Sequence, residues 1–156
     1  MQLLAANTSA RWECPQCGYT TPSNDDIAPE AFFRPWHVIY GRQAVKAYVA
    51  SLGEEAHEWL LALYIDEQYQ LLAVDTVARG GVSNVEVPSW ALIERAKALK
   101  ASGFILVHNH PSGDARPSET DIRATKTLAY VSDELEVPLL DHLIVAGDEL
   151  REIGHW

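Results

Sequence analysis

Basic residues are scarce in this 156-residue chain, where 12 Lys and Arg stand against 22 Asp and Glu, for a formal net charge of −10. That balance argues against a protein whose main affinity is for phosphate backbones, since such binding relies on clustered cations that release counterions. Cysteine is scarcer still, with only Cys14 and Cys17. Three positions apart, they cannot build a disulfide framework and suit metal chemistry or a spare loop. Long apolar runs are missing as well: none approaches the roughly 20 residues that a membrane helix needs. The N-terminus has no basic region followed by an apolar one, so a cytoplasmic protein without a membrane partner is expected. What is present, 47% hydrophobic and 22% charged residues, suits a globular protein with one core of ordinary size.

Residues 1–30 sustain no helical or strand period beyond a few positions, and the first 40 residues contain the turn Cys14-Pro15-Gln16-Cys17-Gly18. They read as an N-terminal appendage with a CxxC knuckle, ahead of a domain over 41–156. Between Gly41 and Leu52 the apolar residues Ala44, Val45, Tyr48, Val49 and Leu52 recur at helical intervals, with Gly53 placed as a stop. "EWLLALYID" (58–66) and "YQLLAVDTVARGG" (69–81) predict two strands of an antiparallel hairpin. Pro88 and Ser89 introduce a helix whose stripe is Trp90, Ile93, Ala96 and Leu99, with Gly103 as its stop. "FILVH" (104–108) predicts a buried strand, "DIRATKTLAYVSDEL" (121–135) a helix, and "VPLLDHLIVAG" (137–147) another strand. This order implies an α/β sandwich with a mixed sheet.

The stretch "HNHPSGDARPSETD" (108–121) concentrates the chemistry. Residues two apart on a strand point the same way, so His108 and His110 can aim both imidazoles at one point while Asn109 faces away. Pro111 breaks the strand, and the loop returns the chain so that Asp121 falls in the first turn of the next helix. Two imidazoles and a carboxylate suit zinc with an open fourth position. A plainer reading stands beside it: Ser118 and Asp121 also fit a helix capping box, and the histidines then belong to a polar loop. A base to take a proton from water would come from an acid near a strand end, with Glu58 a candidate and Glu54 and Glu55 its competitors. Asp141 and His142 read first as a hydrogen-bonded core pair, and next as residues that orient a ligand.

The pattern His-x-His-Pro, six residues, Ser, two residues, Asp is filled by His108, His110, Pro111, Ser118 and Asp121. It resembles the JAMM motif of the MPN/JAB metalloprotease superfamily. "ILVHNHPSGDARPSETD" with "VPLLDHLIV" resembles the RadC-like branch more closely, across roughly residues 41–156. The resemblance implies an MPN/JAB-like, cytidine-deaminase-like αβα sandwich around a central mixed sheet. It implies zinc held by His108, His110 and Asp121, with Ser118 stabilising the tetrahedral intermediate. The glutamate that opens a hydrophobic strand and serves as general acid and base maps to Glu58. The implied reaction is zinc-dependent cleavage of a peptide or isopeptide bond in a peptide or protein substrate. Two alternatives follow from the same resemblance: a catalytically silent MPN-type binding scaffold, and a factor associated with DNA repair or recombination. The branch commonly carries an N-terminal helix-hairpin-helix region, which this chain is too short to include. Cys14 and Cys17 form half of a four-ligand zinc ribbon, a second metal site only if His37 or a partner chain completes it.

Overall fold

The computed structural model describes residues 45–47, 49–80 and 89–154. Its centre is the apolar run that begins after Glu58: strand β1 (Trp59–Ile65) is buried at every position. A strand covered on both faces has no polar side to alternate with, which accounts for a continuous rather than alternating pattern. Strand β2 (Leu71–Arg79) returns antiparallel beside it. The turn between them is held by Asp66, whose Oδ1 accepts from the Gln68 and Gln70 amides, both at 2.9 Å, while Tyr69 takes φ 59°. Helix α1 (Ser89–Ala98), strand β3 (Gly103–Asn109), helix α2 (Glu119–Glu134) and strands β4 (Leu139–Ala146) and β5 (Glu149–Glu152) follow.

The five strands lie in the order β2-β1-β3-β4-β5. Only β3 and β4 run parallel, and α2 makes the crossover between them. The expected α/β architecture with a mixed sheet is therefore observed. On one face Leu60, Ala62, Tyr64, Phe104 and Leu106 pack against Leu92, Ile93 and Ala96 of α1 and Leu128 and Ala129 of α2. On the other, Leu61, Leu63, Ile105, Val107, Leu143 and Val145 are covered by Val45, Val49 and Leu52, from the segment that ends in the 3-10 turn Ala50–Glu54. No helix among the described residues is long and apolar enough to cross a membrane.

Several local expectations are corrected. Gly53 does not stop a helix by backbone conformation; it lies within the 3-10 turn, where a Cβ would collide with the Gly147 carbonyl. Gly103 opens β3, where a Cβ would fall 2.9 Å from the Pro138 carbonyl oxygen. The helix before it ends at Ala98, and the chain turns off it at Lys100, which adopts φ 55° while the Ala101 amide donates to the Ala96 carbonyl. Trp90 lies on the outer side of α1, within reach of the Lys97 ammonium at 5.9 Å, and the buried stripe is Ala91, Leu92, Ile93 and Ala96. Helix α2 buries two polar residues, Thr125 and Ser132, besides Leu128 and Ala129.

Asn109 occupies the face opposite the histidines and is 1% exposed. Its Oδ1 accepts from the Trp59 amide at 2.7 Å, and its Nδ2 donates to the His57 carbonyl at 2.9 Å. The side chain thereby ties the entry of β1 to the end of β3. Asn109→Ala would leave the buried Trp59 amide and the half-buried His57 carbonyl without this partner, and a loss of about 1–3 kcal/mol in urea unfolding is expected. A variant as stable as the wild type would show that the entry of β1 is held by other contacts.

Candidate metal centre

Strand β3 aims two imidazoles at one point because its ladder continues past its last residue. His108 pairs with Leu60 on β1 and Ile144 on β4, and the His110 amide donates to the Val145 carbonyl at 2.9 Å. With the strand period preserved, both rings fall on the helix-covered face. Their Nε2 atoms are 2.9 Å apart. Pro111 ends the pairing, and Gly113, at φ 83°, turns the loop back with its amide on the His110 carbonyl at 3.1 Å. Arg116 braces this loop by donating from Nε and from its amide to Asp114 Oδ1, each at 3.0 Å. The same guanidinium holds the Asp114 carboxyl down at about 2.

The brace places the Asp114 carbonyl 2.7 Å from His110 Nδ1. A carbonyl only accepts, so Nδ1 carries the proton and Nε2 presents its lone pair to the centre of the site. Asp121 enters from α2. Ser118 caps the helix: its Oγ accepts from the Asp121 amide at 3.1 Å, and the Asp121 carboxylate accepts from the Ser118 amide at 2.8 Å. The capping box is thus real, and it does not compete with the metal reading, because the same carboxylate turns Oδ1 toward His108 Nε2 at 3.7 Å and Oδ2 toward His110 Nε2 at 3.6 Å. Burial pushes this carboxyl up, and the Ser118 amide that donates to it pulls it back down.

His108, His110 and Asp121 gather their donor atoms within 4.8 Å. Zinc is contacted at about 2.0–2.2 Å by nitrogen and oxygen, which sets donor separations of roughly 3–4 Å. Two imidazoles and an ionised carboxylate are the donor types this ion takes, so the residues present fit it. They equally fit another divalent ion of the same ligand preference.

Glu58 precedes β1. Carrying the β1–β3 register two residues past Leu60↔His108 sets it level with His110. Trp59 belongs to the core on one face and Leu60 to the core on the other, so alternation puts Glu58 on the histidine side. The peptide that links Glu58 to Trp59 is held from both flanks: its carbonyl accepts from the Gly80 amide at 2.7 Å, and its N–H is the one bound by Asn109. Glu54 is an exposed residue at the end of the 3-10 turn, and the Glu55 carbonyl lies 3.5 Å from Asn109 Nδ2. Cys14, Cys17 and His37 lie outside the described residues.

His142 is more than one half of a hydrogen-bonded core pair with Asp141. Its amide does bond to Asp141 Oδ1 at 2.8 Å, but its ring joins the site. Nε2 lies 2.8 Å from His108 Nδ1, and Nδ1 lies 2.7 Å from Thr125 Oγ1. Burial in the interior, which disfavours the charged ring, pushes His142 well below its ordinary 6.5. Below that value the unfolded chain binds a proton that the folded chain refuses. The contribution is therefore complete above pH 6.5 and is lost as pH falls through the window beneath it. In metal-stripped protein, urea unfolding free energy should decline between about pH 7.5 and 5.5, by at most roughly 1.4 kcal/mol per pH unit from this group. His142→Gln should show a shallower decline, and equal slopes in the two proteins would contradict the assignment.

Comparison with known proteins gives the arrangement a family. The model of the RadC-like JAB domain matches residues 39–151. A UPF0758 protein of Cupriavidus necator is 38% identical over 115 residues, which cover 73% of this chain and 50% of the relative. One from Methylibium petroleiphilum is 40% identical over 105 residues, covering 67% and 47% respectively. One from Streptococcus thermophilus is 36% identical over 112 residues, covering 72% and 49%. The chain thus spans about half the length of the curated relatives it matches. With the matched region enclosing both histidines, the aspartate and the whole described sheet up to Arg151, the chain belongs to the family of RadC-like JAB domains.

Proposed function

We propose that this chain is a zinc-dependent hydrolase that cuts peptide or isopeptide bonds in a peptide or protein substrate, acting in the cytoplasm. The observation that carries the reading is the convergence of His108, His110 and Asp121 within 4.8 Å, beside the entry of β1. Those three residues would hold the ion. Bound there, zinc supplies Lewis acidity, both to the carbonyl under attack and to the attacking water. Glu58, at the strand entry that Asn109 and Gly80 fix, accepts the proton of that water and returns it to the leaving amine. Ser118 uses its oxygen to accept from the Asp121 amide, which leaves its own hydroxyl proton to donate to the carbonyl oxygen as charge develops there. Ser118 is exposed, and His110 and Asp121 are partly so, which leaves the site open on that side.

The test is cleavage of a peptide library and of isopeptide-linked conjugates by the zinc-loaded chain. Products that vanish with a chelator and with His110→Ala, and return when zinc is restored to the wild type, support the reading. A zinc-loaded chain that binds conjugates without cutting any favours the silent scaffold.

A further inference from the structure

We infer that Thr125 and His142 are positioning residues, which lock His108 in the one tautomer that can bind a metal through Nε2. The inference deepens the proposed function and rests on its metal site.

The argument follows one proton at a time. The Thr125 hydroxyl donates to the Asp121 carbonyl, at 2.5 Å, and a hydroxyl has a single proton. Toward His142 Nδ1, 2.7 Å away, Thr125 Oγ1 can then only accept. His142 Nδ1 must carry a hydrogen. His142 is buried, at 6% exposed, and a neutral imidazole protonated at Nδ1 has an acceptor at Nε2. That acceptor lies 2.8 Å from His108 Nδ1, which must therefore donate. His108 Nε2 is left with its lone pair, which faces the lone pair of His110 Nε2 at 2.9 Å. Two acceptors at that distance cannot bond to each other. A cation between them relieves the conflict.

The two histidines are thus oriented by different means. His110 is set by a backbone carbonyl of its own loop, which no side-chain substitution removes. His108 is set by a side-chain relay whose far end is the carbonyl of Asp121, the third ligand. Without Thr125, the His142 ring loses what fixes its tautomer, and His108 can turn a proton, instead of a lone pair, toward the ion.

Zinc affinity of the whole chain, measured by competition with a chromophoric chelator, and the nitrogen shifts of His108 in zinc-free protein test this together. Wild type is expected to show His108 protonated at Nδ1. Thr125→Val and His142→Phe should weaken zinc binding about 10–100-fold, whereas Thr125→Ser and His142→Gln, which keep a hydroxyl and an acceptor, should stay within a few-fold of wild type. Because the tautomer is read on the wild type, misfolding of a variant does not blunt the test. A wild type that binds zinc while His108 is protonated at Nε2 in the zinc-free protein overturns the relay alone. So does a folded Thr125→Val that binds as tightly as wild type. A wild type that takes up no zinc overturns the metal site, and the relay's role with it.

Discussion

Asp121→Asn is expected to leave the fold standing while weakening zinc binding by more than about 100-fold, a larger loss than that from residues that only orient ligands. The two effects separate because Asp121 serves two partners. An asparagine oxygen can still accept from the Ser118 amide, as the carboxylate does at 2.8 Å, and the Ser118 hydroxyl can still accept from the residue-121 amide. The cap is kept, and stability should change by less than about 1 kcal/mol. The amide NH2 would then face the imidazole lone pairs and donate to them. It occupies the place of the ion and carries no charge to hold one. Asp121→Ala should lose both zinc and cap, at an additional cost of about 1 kcal/mol in the fold. Chelator competition and thermal unfolding of the two variants make the check. An Asp121→Asn protein with wild-type affinity would remove the carboxylate from the ligand set.

Glu58→Gln should give the opposite profile, with zinc retained and turnover lowered about 10²–10⁴-fold, the range that general acid–base catalysis contributes. Glutamine keeps the size of the side chain and loses its ability to take a proton. The peptide that follows Glu58 is held by the backbone, with its carbonyl on the Gly80 amide and its N–H on Asn109. The substitution should therefore leave the strand entry in place. Glu54→Gln and Glu55→Gln serve as controls and should turn over as wild type does. Measured on a substrate from the cleavage screen, wild-type turnover by Glu58→Gln would move the base elsewhere, and loss with Glu55→Gln would name the replacement.

Where the sequence could be read directly, burial on both faces had written itself into composition. The runs at 59–65 and 103–109 are buried at every position, and no helical period competes with them. The ligand triad was visible for a related reason, since a strand period of two and a helix N-terminus bring His108, His110 and Asp121 together with few alternatives. Strand β5 was missed because Glu149–Glu152 is a polar edge strand, paired on one side only and partly exposed along its length. Gly53 and Gly103 were misread because a close approach to the Gly147 or Pro138 carbonyl involves chain far away in sequence. Thr125 hid for the opposite reason, as a buried threonine breaks the apolar stripe that marks a helix face. His142 bonds to a ring 34 residues away, across a parallel pairing whose register no local pattern shows.

The central claim is that one ion is held by His108, His110 and Asp121. Elemental analysis of metal per purified chain tests it most directly, on the wild type, on His110→Ala, and on a chain carrying Cys14→Ser and Cys17→Ser. The account predicts one zinc per wild-type chain, kept when both cysteines are replaced and lost with His110→Ala. Zinc that survives in His110→Ala and disappears with the cysteines would contradict it.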